Sequence, residues 1–514
     1  MTGFFALSNP GRTAAVYNRR VDTAANTDSF QYIELPELEP GETADPMLIV
    51  AAIGEVVEHK RIITKGPEFA AFGEDTSMDK ARPDVAVLAQ TIDEVRHVLY
   101  VADFYSVPVY ARGLGSGLSG GSVPVKGGIV LDTSPLDRLL EVTPGNRSCR
   151  VGPGLTIQQL NEQLKSYNLW FPPWPSSHDI ASIGGNVAEN AGGITTVKYG
   201  TFRHWLFSLT CVLPGGKLVH TGSSAVKDVA GLDLTSLICG SEGMLCVVVE
   251  AELRLLPIPP AIGTALYVFD SDEAAARAAQ SVVAGPVTPR TLEFMDATVM
   301  GCVVKQLGDE ARDALGPALD VMAGNAAGGS VLALETDAHT DADALAQLEE
   351  LDALLTGLGG KQVGLTVDRE IALKIWRVRS ELSPSCHQLG EFKLSEDVAV
   401  PRHRLVEFVT GLKAVGEQHG LTWLNYGHIG DGNFHITLMF DSEDDPRIAV
   451  GREAIGDACK LAVSLGGTIT GEHGVGLAKA PYLKLQRDSE YIELMRRVKS
   501  AFDPKGILNP GKWL

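Results

Sequence analysis

Between residues 83 and 111 the apolar positions change period twice. Asp84-Val85-Ala86-Val87-Leu88-Ala89 is a short β-prone run. Thr91-Ile92-Asp93-Glu94 then has the spacing of a capping box, in which each of two side chains accepts from the other residue's backbone N–H, and it starts a helix to about Tyr105. Val107-Pro108-Val109-Tyr110-Ala111 follows as a strand, so this part opens β-α-β. Further strands are predicted at 128–131, 139–142, 149–151, 207–213, 218–219 and 245–255, with helices near 156–167 and 232–237. The proline cluster Pro257-Ile258-Pro259-Pro260 closes this α+β unit, because proline at that density ends one element before another begins. Beyond it the pattern gives a helix over 272–284, a strand over 290–294, and helices over 342–357, 368–382 and 488–502. That is a second α+β unit, with no internal repeat. Residues 1 to about 46 are polar, contain Pro36, Pro40 and Pro46, and read as an arm without chemistry.

Composition narrows the partners. The chain has 514 residues, 44 Lys and Arg against 64 Asp and Glu, a formal charge of −20 and a hydrophobic fraction of 45%. Nucleic acid and anionic membrane would repel such a surface at long range. No basic start followed by an apolar stretch marks a signal peptide, and no apolar run approaches the roughly 20 residues that span a bilayer. The seven cysteines show no C-x-x-C spacing, which argues against a disulfide framework or an iron–sulfur cluster held by this chain alone and favours a reducing cytosol.

Two segments are dense in glycine. Arg112-Gly113-Leu114-Gly115-Ser116-Gly117-Leu118-Ser119-Gly120-Gly121 follows a strand and frees several N–H groups to converge on an anion such as pyrophosphate. It contains a formal G-x-G-x-x-G, but a strand and not a helix comes next, so the dinucleotide fingerprint lacks its context. Ser182-Ile183-Gly184-Gly185-Asn186-Val187-Ala188-Glu189-Asn190-Ala191-Gly192-Gly193 mixes glycine with polar amides, and Gly240-Ser241-Glu242-Gly243 adds a third segment. A flexible surface loop explains one such segment; two cradles together imply a long, bent, phosphate-bearing cofactor.

The second unit carries Tyr426-Gly427-His428-Ile429-Gly430-Asp431-Gly432-Asn433-Phe434-His435-Ile436-Thr437. If Asp431-Gly432 is a two-residue hairpin turn, His428 pairs with His435 and their Cβ atoms stand about 4.5–5.5 Å apart on one face. Ile429 and Phe434 then pack inward. The pair suits shared metal ligation or a stacked surface pair. Glu472 and His473, flanked by Gly471, Gly474 and Gly476, point in opposite directions if extended. Glu472 could complete a two-histidine, one-carboxylate site while His473 faces substrate as a base.

These motifs resemble the FAD domain of the vanillyl-alcohol-oxidase-type flavoproteins, in the branch of FAD-linked D-2-hydroxy-acid dehydrogenases. The similarity covers roughly residues 65 to 514. It implies an α+β fold: a two-part PCMH-type FAD-binding domain at 47–257, a substrate-binding cap at 258–470 with a large antiparallel sheet, and a segment at 471–514 returning to the cleft. It implies that FAD contacts Arg112, Gly113, Leu114, Gly115, Ser116, Gly117, Ser119 and Gly120, then Pro175, Ser177, Ser182, Gly185, Asn186, Asn190 and Gly193, and finally Gly243, Val248 and Asn509. Members with covalent FAD often carry a histidine in the first glycine loop. None lies between Arg112 and Gly121, so non-covalent FAD is expected.

The same resemblance makes His428, His435 and Glu472 ligands of one divalent metal, Zn or Mn, and His473 the general base. Arg379 matches the carboxylate-binding arginine, with Ser383, Lys393 and Thr437 around the substrate. Arg377 reads as a solvated helix residue. Thr437 stands where the hydroxyglutarate enzymes carry asparagine, which favours D-lactate or glycolate over D-2-hydroxyglutarate. The implied reaction takes the hydroxyl proton to His473 and the C2 hydride to the flavin. Electrons then leave to an external acceptor: a quinone, an electron-transfer flavoprotein or an iron–sulfur subunit. A homodimer is compatible with the resemblance, as is a peripheral position at the inner membrane through a partner. An electron-transfer flavin subunit without substrate oxidation of its own, and more distantly a zinc hydrolase, are the readings from other classes.

Overall fold

A computed structural model describes residues 30–39, 42–323 and 329–514, and residues 35–514 form one compact unit. Most of the predicted arm lies outside the described residues. The apolar run at 84–89 becomes the strand Val85–Leu88, with Val85, Ala86 and Val87 inaccessible to solvent. It pairs in parallel with Ile129–Asp132, which pairs in parallel with Val109–Arg112, while Ile62–Ile63 adds an antiparallel edge. Helix Ile92–Tyr105 makes the crossover, and Thr91 Oγ1 accepts from the Glu94 N–H at 3.2 Å. Glu94 does not close the box. Its carboxylate accepts from Gln90 N–H at 2.7 Å and from the Arg61 guanidinium, because pairing a buried cation outweighs one exposed cap bond.

A second, five-stranded antiparallel sheet runs Leu139–Thr143, Ser148–Val151, Val247–Arg254, Leu206–Leu213, Lys217–Gly222. Val247, Val249, Ala251 and Leu253 are buried and alternate with half-buried partners, the period of a strand with one covered face.

The third sheet has seven antiparallel strands in the order Lys361–Thr366, Ala261–Phe269, Ser330–Ala338, Thr291–Met295, Leu424–Gly427, Asn433–Phe440, Phe392–Ala399. Residues 433–438 alternate strictly. Phe434, Ile436 and Leu438 enter the main apolar core with Phe294 and Val398, beneath helices Asp272–Ala284 and Leu405–His419. The register sends the polar set the other way. Cross-strand partners share a face, so Met295 opposite Tyr426, Tyr426 opposite His435, His435 opposite Asp397 and Thr437 opposite Ser395 place these side chains together. Glu293, two residues from Met295, joins them. Helix Arg369–Ser380 covers this face through Ile375 and Val378.

The hairpin expectation needs correction. His435 pairs with Tyr426 and not with His428, so the connection spans residues 428–432 rather than two. The Gly430 N–H donates to Leu292 O at 3.1 Å, and a neighbouring strand therefore takes the bond that a tight turn would have used. Because the slip is by two residues, every side chain keeps its face. Ile429 and Phe434 do pack into the core as expected.

Candidate active site

On the polar face of the large sheet three acceptor-bearing side chains converge. His428, His435 and Glu472 bring one ligand atom each to within 4.8 Å of one another. Glu472 Oε1 lies 3.2 Å from His428 Nε2 and 3.4 Å from His435 Nε2, and the two imidazoles meet edge to face with centroids 5.1 Å apart. Three acceptor atoms this close require a proton or a cation among them. Two neutral imidazoles and a carboxylate suit a divalent metal, and it is the Nε2 atom of each histidine that faces Glu472 Oε1. The residues present therefore fit such an ion.

Glu472 and His473 do not diverge. The His473 ring stacks on His435 at 5.1 Å and 11°, so both side chains meet the same imidazole. The cause is Asp397. Its Oδ2 accepts from the successive N–H groups of Gly471 and Glu472, each at 2.7 Å, and two consecutive N–H groups can reach one oxygen only where the backbone bends. Asp397 also accepts from Thr470 Oγ1 at 2.9 Å, Asn433 Nδ2 at 3.0 Å and the Lys479 ammonium. Burial opposes its charge, but His473 and Lys479 outweigh burial and hold its carboxyl well below the usual range. Burial pushes the His473 imidazole down, with Asp397 working against that shift, and His473 Nδ1 lies 3.5 Å from Asp397 Oδ1. Burial likewise opposes ionised Glu472, yet His428 and His435 lower it to about 2.

Glu293, absent from the sequence expectations, has its side chain wholly inaccessible to solvent. Its Oε1 is 2.7 Å from His428 Nδ1, and its Oε2 accepts from Arg379 Nε at 2.7 Å. Its signal in the sequence was a lone carboxylate inside the apolar run Thr291-Leu292-Glu293-Phe294-Met295. Arg379 is buried and its guanidinium lies 5.6 Å from the centre of the Tyr426 ring, whereas Arg377 is exposed and pairs with Glu381. Lys393 Nζ donates to Ser383 Oγ at 2.7 Å, and Thr437 shares a 2.8 Å hydrogen bond with Ser395. Burial lowers the Lys393 ammonium from its ordinary value. Arg379, Ser383, Lys393, Thr437, His428, His435, Glu472 and His473 thus border one face.

The glycine segments reach the same place. A Cβ on Gly113 would lie 2.1 Å from Ser182 Oγ, so the first two segments touch through glycine alone. The second segment contains a helix that its glycines concealed, Ile183–Glu189, with Ser182 Oγ accepting from Gly185 N–H at 3.2 Å. Gly193 adopts φ +126° against the backbone of Trp174 and Pro175. A Cβ on Gly192 would lie 3.0 Å from Glu472 Oε2, and Ser119 Oγ donates to His473 O at 2.8 Å. Asn509 Nδ2 donates to Gly121 O at 3.0 Å and to Glu242 O at 2.6 Å. Arg112 is turned away onto Glu74 O, Asn186 donates to Ser182 O, Asn190 accepts from Arg203 N–H, and Val248 is half-buried against the apolar cluster of the five-stranded sheet. Backbone cradles closed by glycine fit a phosphate-bearing flavin nucleotide. As expected, no helix follows the first loop; the strand Ile129–Asp132 does.

Glycine cradles against a buried histidine and carboxylate cluster, on a large antiparallel sheet, define an FAD-linked oxidoreductase. The chain belongs to that family: residues 83–222 match the FAD binding domain, and residues 258–513 match the C-terminal domain of FAD linked oxidases. It is 33% identical to glycolate oxidase subunit GlcD of Bacillus subtilis (strain 168), over 85% of this chain and 90% of that one. It is also 33% identical to the D-lactate dehydrogenase of Archaeoglobus fulgidus, over 83% of this chain and 90% of that one. The p-cresol methylhydroxylase structure shares the fold, with a TM-score of 0.74 at 14% identity over 90% of this chain and 96% of that one. Among the described residues no helix is long and apolar enough to cross a membrane, and all seven cysteines are free and buried.

Proposed function

We propose that this chain oxidises a small D-2-hydroxy acid, D-lactate or glycolate, to the 2-oxo acid and passes two electrons through FAD to an external acceptor. The observation that carries the reading is the meeting of three things on one buried face. These are the glycine cradles, the triad of His428, His435 and Glu472, and a guanidinium suited to a carboxylate. When bound, FAD supplies the hydride acceptor, and a Zn or Mn ion on the triad supplies the charge that lowers a hydroxyl's pKa. Arg379 binds the substrate carboxylate with the N–H groups that Glu293 leaves free. His473 takes the hydroxyl proton on a ring nitrogen. Stacking on His435 holds that ring in place, and burial of the face excludes water.

A quinone, an electron-transfer flavoprotein or an iron–sulfur subunit fits as acceptor, since this chain has no cluster spacing. The free, buried cysteines support a reducing compartment such as the cytosol. A second reading, a dicarboxylic acid such as D-2-hydroxyglutarate, draws on Lys393. Among the described residues no carboxylate pairs with its ammonium. Thr437, tied to Ser395, favours the smaller acids.

The test is anaerobic flavin bleaching by D-lactate, L-lactate, glycolate and D-2-hydroxyglutarate. Rapid bleaching by D-lactate or glycolate is expected. Rapid bleaching by D-2-hydroxyglutarate alone favours the second reading, and a flavin that no acid bleaches contradicts substrate oxidation.

A further inference from the structure

Glu293 belongs to a strand of five buried residues, on the face that carries His435 and Tyr426, and nothing in the proposed reaction uses it. Its two carboxylate oxygens serve different groups. Oε1 sits 2.7 Å from His428 Nδ1; Oε2 accepts from Arg379 Nε at 2.7 Å and lies 2.5 Å from Arg379 Nη2. An imidazole that gives its Nδ1 hydrogen to a carboxylate has its other nitrogen fixed in tautomer and direction, and Nε2 here faces Glu472 Oε1 at 3.2 Å. A guanidinium held along one edge presents the opposite edge. Arg379 is gripped on its Nε and Nη2 side by Glu293, and the Tyr426 ring lies 5.6 Å from its central carbon.

We infer that Glu293 is the positioning residue of the site, a single carboxylate that aims the metal-facing nitrogen of His428 and the substrate-facing edge of Arg379 at once. The inference rests on the proposed metal and carboxylate sites. It adds that the two are mechanically one: disturbing Glu293 harms ion binding and substrate binding together. Replacing a residue that acts on only one of them harms only that one. His435→Ala loses the ion, and Arg379→Lys weakens the acid.

The test uses the flavin-loaded full chain as wild type, Glu293→Gln and Glu293→Asp. Gln keeps the size but cannot accept from both neighbours, because one terminal atom becomes a donor. Asp keeps the charge but is one methylene too short to reach both. Three quantities are read: the Zn²⁺ Kd by chelator competition, and the KM and kcat for D-lactate with an artificial acceptor. A rise of about tenfold to a hundredfold in the Zn²⁺ Kd is expected, together with a raised KM at saturating Zn²⁺. Glu293→Asp is the fallback should Glu293→Gln not fold. A wild type that binds no divalent ion overturns the metal reading and this inference with it. A wild type that binds Zn²⁺, with folded variants matching it in both Kd and KM, overturns this inference alone, as does a change in only one of the two.

Discussion

In the part of the chain that holds residues 112–121 and 182–193, the surfaces that meet are backbone, and the contact between Gly113 and Ser182 leaves no room for a Cβ. At the polar face of the seven-stranded sheet they are side chains: Glu472 and His473, from a segment outside the sheet, meet His428 and His435 at hydrogen-bond or stacking distance, and a buried carboxylate holds His428. The difference follows from the ligands each part suits. A nucleotide is long and carries its own charge, so it is gripped by many N–H groups along an open backbone. A small hydroxy acid offers three or four polar atoms, and binding it needs a few charged groups in fixed orientation, which a sheet face provides because its register is rigid.

That contrast can be broken experimentally. The largest expected effect is from His473→Ala, which should slow flavin bleaching by about 10²- to 10⁴-fold while the protein stays yellow; stopped-flow absorbance reads both. Next is a reciprocal pair. Gly113→Val forces the two glycine segments apart at a cost of about 1–3 kcal/mol, so flavin content should drop while zinc content stays; His435→Ala should do the reverse. Absorbance at the flavin band and elemental analysis separate the two, and a variant that loses both ligands would contradict the division of labour.

A smaller effect concerns pH. Burial raises Asp296 and Glu396 to about 7, in Glu396 against the pull of Lys479. A carboxyl raised on folding stabilises the fold fully below its unfolded value near 4, and that contribution is lost as pH rises through 7. Thermal melts should therefore show the Tm falling between about pH 4 and 7 and levelling off above that. The smallest effect is on KM. With a charge of −20 the surface repels a carboxylate and only Arg379, Lys393 and the ion attract it locally, so added salt should lower KM or leave it within twofold. A steep rise would contradict a cationic pocket inside an acidic shell.

The sequence showed the site's ingredients better than their arrangement. Glycine-rich segments and the alternation at 433–438 are local signals, and helix 272–284 was legible to the residue, since Ser271 caps it by accepting from Ala274 N–H. What was hidden depends on distant partners. The turn at Asp431-Gly432 slipped because Gly430 bonds to Leu292, and the Glu472-His473 bend exists only because Asp397 lies beneath it. Glu293 was invisible as a functional group because its partner His428 is 135 residues away. Helix Ile183–Glu189 was masked by its own glycines, and only its serine cap hinted at it.

The central claim is that the side-chain cluster on the sheet acts on substrate beside a flavin held by the glycine half. Anaerobic flavin reduction by D-lactate, followed in protein stripped of divalent ions and again after Zn²⁺ or Mn²⁺ is returned, tests it most directly. The stripped protein should stay yellow and bleach once the ion is restored. Bleaching at the full rate without any ion would contradict the account.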